Sequence, residues 1–234
     1  MAKRLRQENV LYTAKDFMDA STCLEWQYLD IARGEILRAV PRDGQVIGSI
    51  GCGKARTESI LVEQGRTVYG ADFSEAAIRV AASRISKAIV ISQDSAMPFP
   101  AHSLDGLILA DLIEHMPNAK ARLKSFAGMV KPGGWILISV PNMRSVESMW
   151  QLAVRGDWPE NPMGIFDETH LQFMSHKRLL RWAIETGLTF ESWHDCYDYR
   201  SIRRAIYKMI DFFTLRALRS FTNFEVVGVF RNPS

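Results

Sequence analysis

The sequence predicts an α/β fold, an open and doubly wound sheet of mostly parallel strands with helices on both faces. Three observations predict it. Short apolar runs rich in β-branched residues alternate with longer stretches of helical period. The stretch from Val46 to Asp72 reads as a complete strand-turn-helix-strand unit. At 234 residues with 47% hydrophobic side chains, the chain fits one domain with additions and can bury a sizeable core.

The unit from Val46 to Asp72 organises the rest. Val46 to Ile50 is a short apolar strand that runs into Gly51-Cys52-Gly53. A helix carrying Ile60, Leu61 and Val62 follows, and Gly65 stops it. Thr67-Val68-Tyr69 starts a second strand that closes on Asp72. Glycines at the carboxyl end of the first strand let backbone approach a ligand where a Cβ would collide. An acid closing the second strand, roughly twenty residues on, can accept from both hydroxyls of a ribose. Cofactor contacts are therefore expected at Gly51, Cys52, Gly53 and Asp72. Cys52 fits the turn by size, and no reactive thiol follows from it.

The dinucleotide fingerprint needs a glycine where Arg56 stands, which disfavours a nicotinamide oxidoreductase. The spacing Gly51-x-Gly53-x-Ala55 instead resembles the first motif of class I S-adenosylmethionine (SAM)-dependent methyltransferases. Ser49 departs from that pattern, which carries an acid there to help order the loop near the methionine end of SAM. Ala55 replaces its third glycine. Farther on, Leu104-Asp105-Gly106-Leu107 and Leu112-Ile113-Glu114-His115 are similar to the family's fourth motif. Lys131-Pro132-Gly133-Gly134 then precedes a fifth strand from Trp135 to Val140. The resemblance covers 46–142 in detail. It implies a Rossmann-like sheet of seven strands whose last strand is antiparallel, with SAM across the carboxyl ends of strands one, two and four.

The remaining elements fit that frame. Residues 1–44 form an N-terminal cap with apolar residues at mixed helical spacings, broken by Gly34; Trp26 and Tyr28 are candidates to line the acceptor pocket. Phe73, just after the ribose acid, can lie against the adenine, and Ser74 caps a helix over 76–81. A third strand, 88–92, leads to Asp94 and Ser95, where the family resemblance implies contacts to the adenine end. Ala110 ends the fourth strand, 104–110, on the ligand edge. The SAM-binding core spans 45–142.

Beyond it, Pro141-Asn142 leaves the fifth strand on the ligand side, so Asn142 is a candidate acceptor contact. Residues 143–175 make an insertion on the acceptor side, long enough to point to function. Its run Asp167-x-Thr169-His170-x-x-Phe173 is similar to that of a subgroup of small-molecule methyltransferases. His115 and His170 are the candidate bases for a hydroxyl acceptor, with Glu114 and Asp167 as orienting partners and Asp167 also a candidate acceptor contact. A helix from His176 to Thr186 ends at Gly187, and a strand around 188–193 follows.

The tail reads as one helix over 199–221. It carries six Lys and Arg against Asp211 alone, so this segment accounts for all of the net charge of +3. Its apolar residues exceed a single stripe, so more than one surface must cover it. A homodimer interface, a lid over an apolar acceptor, or peripheral contact with an anionic membrane would each do so. A last antiparallel strand, 224–230, closes the sheet at its end.

The resemblance implies transfer of the SAM methyl group to a small-molecule acceptor at oxygen or nitrogen. A non-catalytic SAM-binding regulator is the alternative. No metal is expected. No nucleic-acid partner is expected either, because the basic cluster lies on one helix and Ala110-Asp111-Leu112-Ile113 stands where a base-flipping motif would be. Cys23, Cys52 and Cys196 show no disulfide or zinc spacing, which points to a reducing cytoplasm. The basic N-terminus lacks the apolar core of a secretory signal.

Overall fold

The computed structural model describes residues 30–92, 97–197 and 201–233. Its centre is a seven-stranded sheet: β1 (Val46–Ile50), β2 (Thr67–Asp72), β3 (Lys87–Val90), β4 (Leu104–Ala110), β5 (Val130–Pro141), β6 (Thr189–His194) and β7 (Glu225–Arg231). Their spatial order is β3-β2-β1-β4-β5-β7-β6. Pairs β1 to β5 are parallel, and β7 runs antiparallel to both neighbours. The reversed strand is as expected, but it lies inside the sheet. The last strand of the chain inserts between β5 and β6, so β6 forms the edge.

Helices cover both faces. They are α1 (Gly34–Ala39), α2 (Arg56–Glu63), α3 (Glu75–Ala81), α4 (Ala119–Ala127), α5 (Val146–Arg155), α6 (His176–Glu185), α7 (Ser201–Phe213) and α8 (Arg219–Thr222). Serine caps start three of them, as side-chain acceptors for otherwise orphaned N–H groups: Ser74 from Ala77 N, Ser145 from Ser148 N and Ser175 from Arg178 N. Alternation along the strands divides the core in two. Leu107 and Leu109 of β4 pack with Ile136, Ile138 and Phe230 on one face. Ile108 packs on the other with Ile47, Leu137 and Val229, under Ile36 of α1 and Leu61 of α2. Each such side chain contributes about 1.5–3 kcal/mol by burial, so the sheet is a rigid base for what its loops carry.

Gly34 begins α1 after an irregular stretch over 31–33, and the residues before 30 lie outside the described ones. Two expectations are corrected. Lys131 to Gly134 lie within β5, where pairing with β4 jumps from Leu104–Val130 to Gly106–Trp135. The single tail helix is two. Leu215 and Arg216 both take positive φ (48° and 65°), which no helix accommodates, so α7 stops at Phe213 and the short α8 restarts at Arg219. The buried Asp211 holds this break, accepting from Tyr197 Oη at 2.9 Å and from Thr222 Oγ1 at 2.8 Å.

Candidate active site

The turn after β1 is left-handed at three positions, Gly51 (φ 76°), Gly53 (φ 53°) and Ala55 (φ 54°). Gly51 N donates to Ala71 O at 2.8 Å, stitching the loop to the neighbouring end of β2. A Cβ at Gly51 would come within 3.2 Å of Leu112 Cδ1. Cys52 is buried and fills the space over Gly70, where an added Cβ would meet its Sγ at 2.7 Å. Burial pushes its thiol well above the usual range, so it is a packing residue.

Asp72 is fixed by backbone. Its Oδ2 accepts from Gly53 N at 2.7 Å and its Oδ1 from Ser74 N at 2.8 Å. One carboxylate thus spans the glycine loop and the start of α3, with oxygen lone pairs left for a ligand's hydroxyls. Burial raises its pKa and the N–H bonds oppose that rise. Phe73 is half-buried beside it and Ala110 ends β4 across the sheet. Asp94, Ser95, Trp26 and Tyr28 lie outside the described residues.

Two charged groups were not legible in the sequence. Glu58 of α2 is buried and accepts from Ser49 Oγ at 2.7 Å, so a carboxylate reaches position 49 from the helix. Arg33, just before α1, pairs with Asp111 and Glu225, both at 2.6 Å, and with Glu35. Arg33 N also donates to Thr57 Oγ1 at 2.9 Å, tying the N-terminal segment to α2. Asp111 ends β4 with φ 47° and accepts from Ser139 Oγ at 2.9 Å. Burial pushes the Glu225 carboxyl up to about 8, with the charge of Asp111 adding to it and Arg33 opposing. Partners 78 and 192 residues away leave no local signal.

The 143–175 segment docks on the turn after β4. Glu114 O accepts from Leu171 N at 2.8 Å and Gln172 N at 2.9 Å. The rings of His115 and His170 then sit 4.8 Å apart. Asp167 Oδ1 accepts from Thr169 N (2.8 Å) and Oγ1 (2.6 Å), and Thr169 Oγ1 lies 2.8 Å from His115 Nδ1. With its hydroxyl hydrogen given to Asp167, Thr169 accepts from His115 Nδ1–H, which turns the Nε2 side of the ring away from this contact. Burial and the neighbouring His115 both lower the pKa of His170, which favours its neutral imidazole. Glu114 is fully buried with neither carboxylate oxygen bonded, and burial raises its pKa well above the usual range. Glu114, His115 and His170 offer ligand atoms within 4.8 Å of one another, a set that could also hold a cation.

Asn142 is corrected. It is fully buried, donating to Ser220 O (2.9 Å) and Asn223 O (2.7 Å) and accepting from Arg144 N (3.0 Å), so it braces α8 against the end of β5.

A glycine loop, a backbone-held acid on β2 and a histidine pair beyond β4, on this sheet order, define an α/β protein that binds a nucleoside cofactor and presents it to a second ligand. A methyltransferase domain family matches residues 25–192, and the chain belongs to that family, as a class I SAM-dependent methyltransferase. Its cofactor is accordingly SAM. The ubiquinone biosynthesis O-methyltransferase of Leptothrix cholodnii is 25% identical over 154 residues, 62% of this chain and 65% of that one. Its Thiobacillus denitrificans counterpart is 29% identical over 160 residues, 64% and 67% of the two chains. The match thus spans about two thirds of these curated relatives. Among solved structures, a SAM-dependent methyltransferase from Thermotoga maritima aligns at TM-score 0.58 and 15% identity over 90% of each chain. One from Archaeoglobus fulgidus aligns at 0.55 and 18%, over 89% and 93%. These likenesses concern the fold.

Proposed function

We propose that the protein transfers the methyl group of SAM to a hydroxyl oxygen of a small-molecule acceptor held under the 143–175 segment. The observation that carries this is the His115–His170 pair, anchored through Thr169 and Asp167 at the end of β4. In-line displacement at the sulfonium needs little from the protein beyond positioning and exclusion of water. A hydroxyl acceptor must lose its proton as the C–O bond forms and the S–CH3 bond breaks. A neutral imidazole, His170 Nε2 or His115 Nε2, takes that proton. Turnover accordingly falls as pH drops below the ordinary imidazole range and His170 takes up a proton. The curated relatives are named for O-methylation in ubiquinone biosynthesis, which supports an oxygen acceptor. The test is incubation with methyl-labelled SAM and fractionated lipids, sugars and peptides, followed by mass spectrometry. Label on a hydroxyl-derived methyl ether supports the reading. SAM binding with no transfer to any fraction would favour the non-catalytic alternative.

We propose further that the protein is cytoplasmic and touches anionic membrane through α7 and the turn after it. Phe212, Phe213 and Leu215 are 75%, 76% and 90% exposed, beside Arg204 and Lys208. Across a groove lined by Trp150, Phe166 and Tyr207, α5 exposes Met149, Trp150 and Leu152. Such a surface suits headgroups and acyl chains together. No helix among the described residues is long and apolar enough to cross a membrane. Co-sedimentation with anionic but not neutral vesicles tests it, and dimerisation without vesicle binding would assign the surface to a second copy.

A further inference from the structure

Beneath the glycine loop, Glu58 is a buried carboxylate that the methyl-transfer chemistry leaves unused. It is 5% exposed, and its Oε1 accepts from Ser49 Oγ at 2.7 Å. Burial raises its pKa, the Ser49 bond opposes that, the charge of Asp72 raises it further and Arg33 lowers it. Ser49 is its hydrogen-bonding partner, and Asp72 and Arg33 are near enough to bear on its charge. Arg33 is engaged by Asp111, Glu225 and Glu35, and among the described residues Glu58 takes part in no ion pair. A buried carboxylate with a neutral hydroxyl as partner is costly unless a cation completes the site.

The topology says which cation. The ribose end of SAM belongs at Asp72 on β2, and its methyl group must face the histidine pair beyond β4. β1 lies between those strands, so the aminocarboxypropyl arm would cross the end of β1, the strand that carries Ser49 and, through it, Glu58. That arm carries an α-ammonium. We propose that Glu58, oriented by Ser49, is the carboxylate that recognises the α-ammonium of SAM. The helix thus supplies the charge that serine cannot.

The test is calorimetry of S-adenosylhomocysteine (SAH) and of its deamino analogue, in which hydrogen replaces the α-ammonium, on the wild type and on Glu58→Gln. The wild type should prefer SAH by about 10- to 100-fold, the value of a charge-assisted bond. Glu58→Gln, which keeps the shape and the Ser49 contact, should bind the two ligands within about 3-fold of each other, with deamino-SAH affinity unchanged. Moving the carboxylate across the same contact, as Ser49→Asp with Glu58→Gln, should restore the preference. The proposal is overturned if Glu58→Gln retains the preference for the amine. Equal loss of both ligands, which would mean that Glu58 only braces the loop, also overturns it. So does failure of the double variant to regain the preference while melting like wild type. Absence of SAH binding to the wild type would instead strike the cofactor assignment itself, and this proposal with it.

Discussion

The two halves of the ligand edge are built on different principles. On the side of the glycine loop, residues close in sequence are fixed by backbone: Asp72 is clamped by Gly53 N and Ser74 N, within nineteen positions. On the acceptor side, side chains from segments more than fifty residues apart converge, as in the Thr169–His115 contact. A stiff local cradle suits a cofactor that is bound in the same pose at every turnover. The acceptor varies, and the parts that meet it are loops and helices added to the sheet. The outer surface differs as well, since the cofactor loop is mostly buried while α5 and α7 expose large apolar side chains.

Substitutions in each half should therefore fail in different ways. The largest effect belongs to the glycine loop. Gly51→Val places a branched side chain at φ 76°, with its Cβ 3.2 Å from Leu112, and SAH binding should vanish in calorimetry. Normal binding in a folded variant would show that the turn does not hold the cofactor. Next is His170→Ala, for which turnover should drop by about 10²–10⁴, the usual value of general-base catalysis. SAH affinity should stay within about 2-fold of wild type. Parallel loss of both would move His170 from the acceptor half to the cofactor half.

A smaller effect tests stability on the acceptor side. His176 packs edge-on against Trp193, and burial with nearby Arg219 and Arg144 pushes its pKa down to about 4. The unfolded chain takes up this proton near pH 6.5 and the folded chain only near 4. Stability is therefore present above 6.5 and is lost as pH falls between those values, by up to about 3 kcal/mol. His176→Phe should flatten that limb in urea unfolding at pH 7 and pH 4; an unchanged limb would place the acid sensitivity elsewhere. The smallest expected effect is Arg204→Glu with Lys208→Glu, worth about 1 kcal/mol of vesicle affinity per charge. Anionic vesicle binding should fall while SAH binding holds, and unchanged co-sedimentation would remove α7 from the membrane reading.

The same division decided what could be read from the sequence. Val46 to Asp72 was legible because a strand, a left-handed turn and a helix each leave a local period or a glycine. The antiparallel sense of β7 followed from resemblance, but its place between β5 and β6 is a matter of long-range pairing that no local pattern encodes. Arg33 and Glu58 were missed for the same reason: their partners are set by the fold. The helix break at Leu215 and Arg216 was hidden because neither residue favours a left-handed conformation. Asn142 was misjudged because leaving a strand on the ligand edge does not fix where a side chain turns.

The account rests on SAM lying across the ends of β1, β2 and β4 with its ribose at Asp72. Calorimetric titration of SAH into the wild type and into Asp72→Ala tests that most directly. The wild type should bind one equivalent, and Asp72→Ala should lose about 2 kcal/mol, the value of charge-assisted bonds to the ribose hydroxyls. Equal affinity in the two proteins, with Asp72→Ala melting as a folded chain, would contradict it.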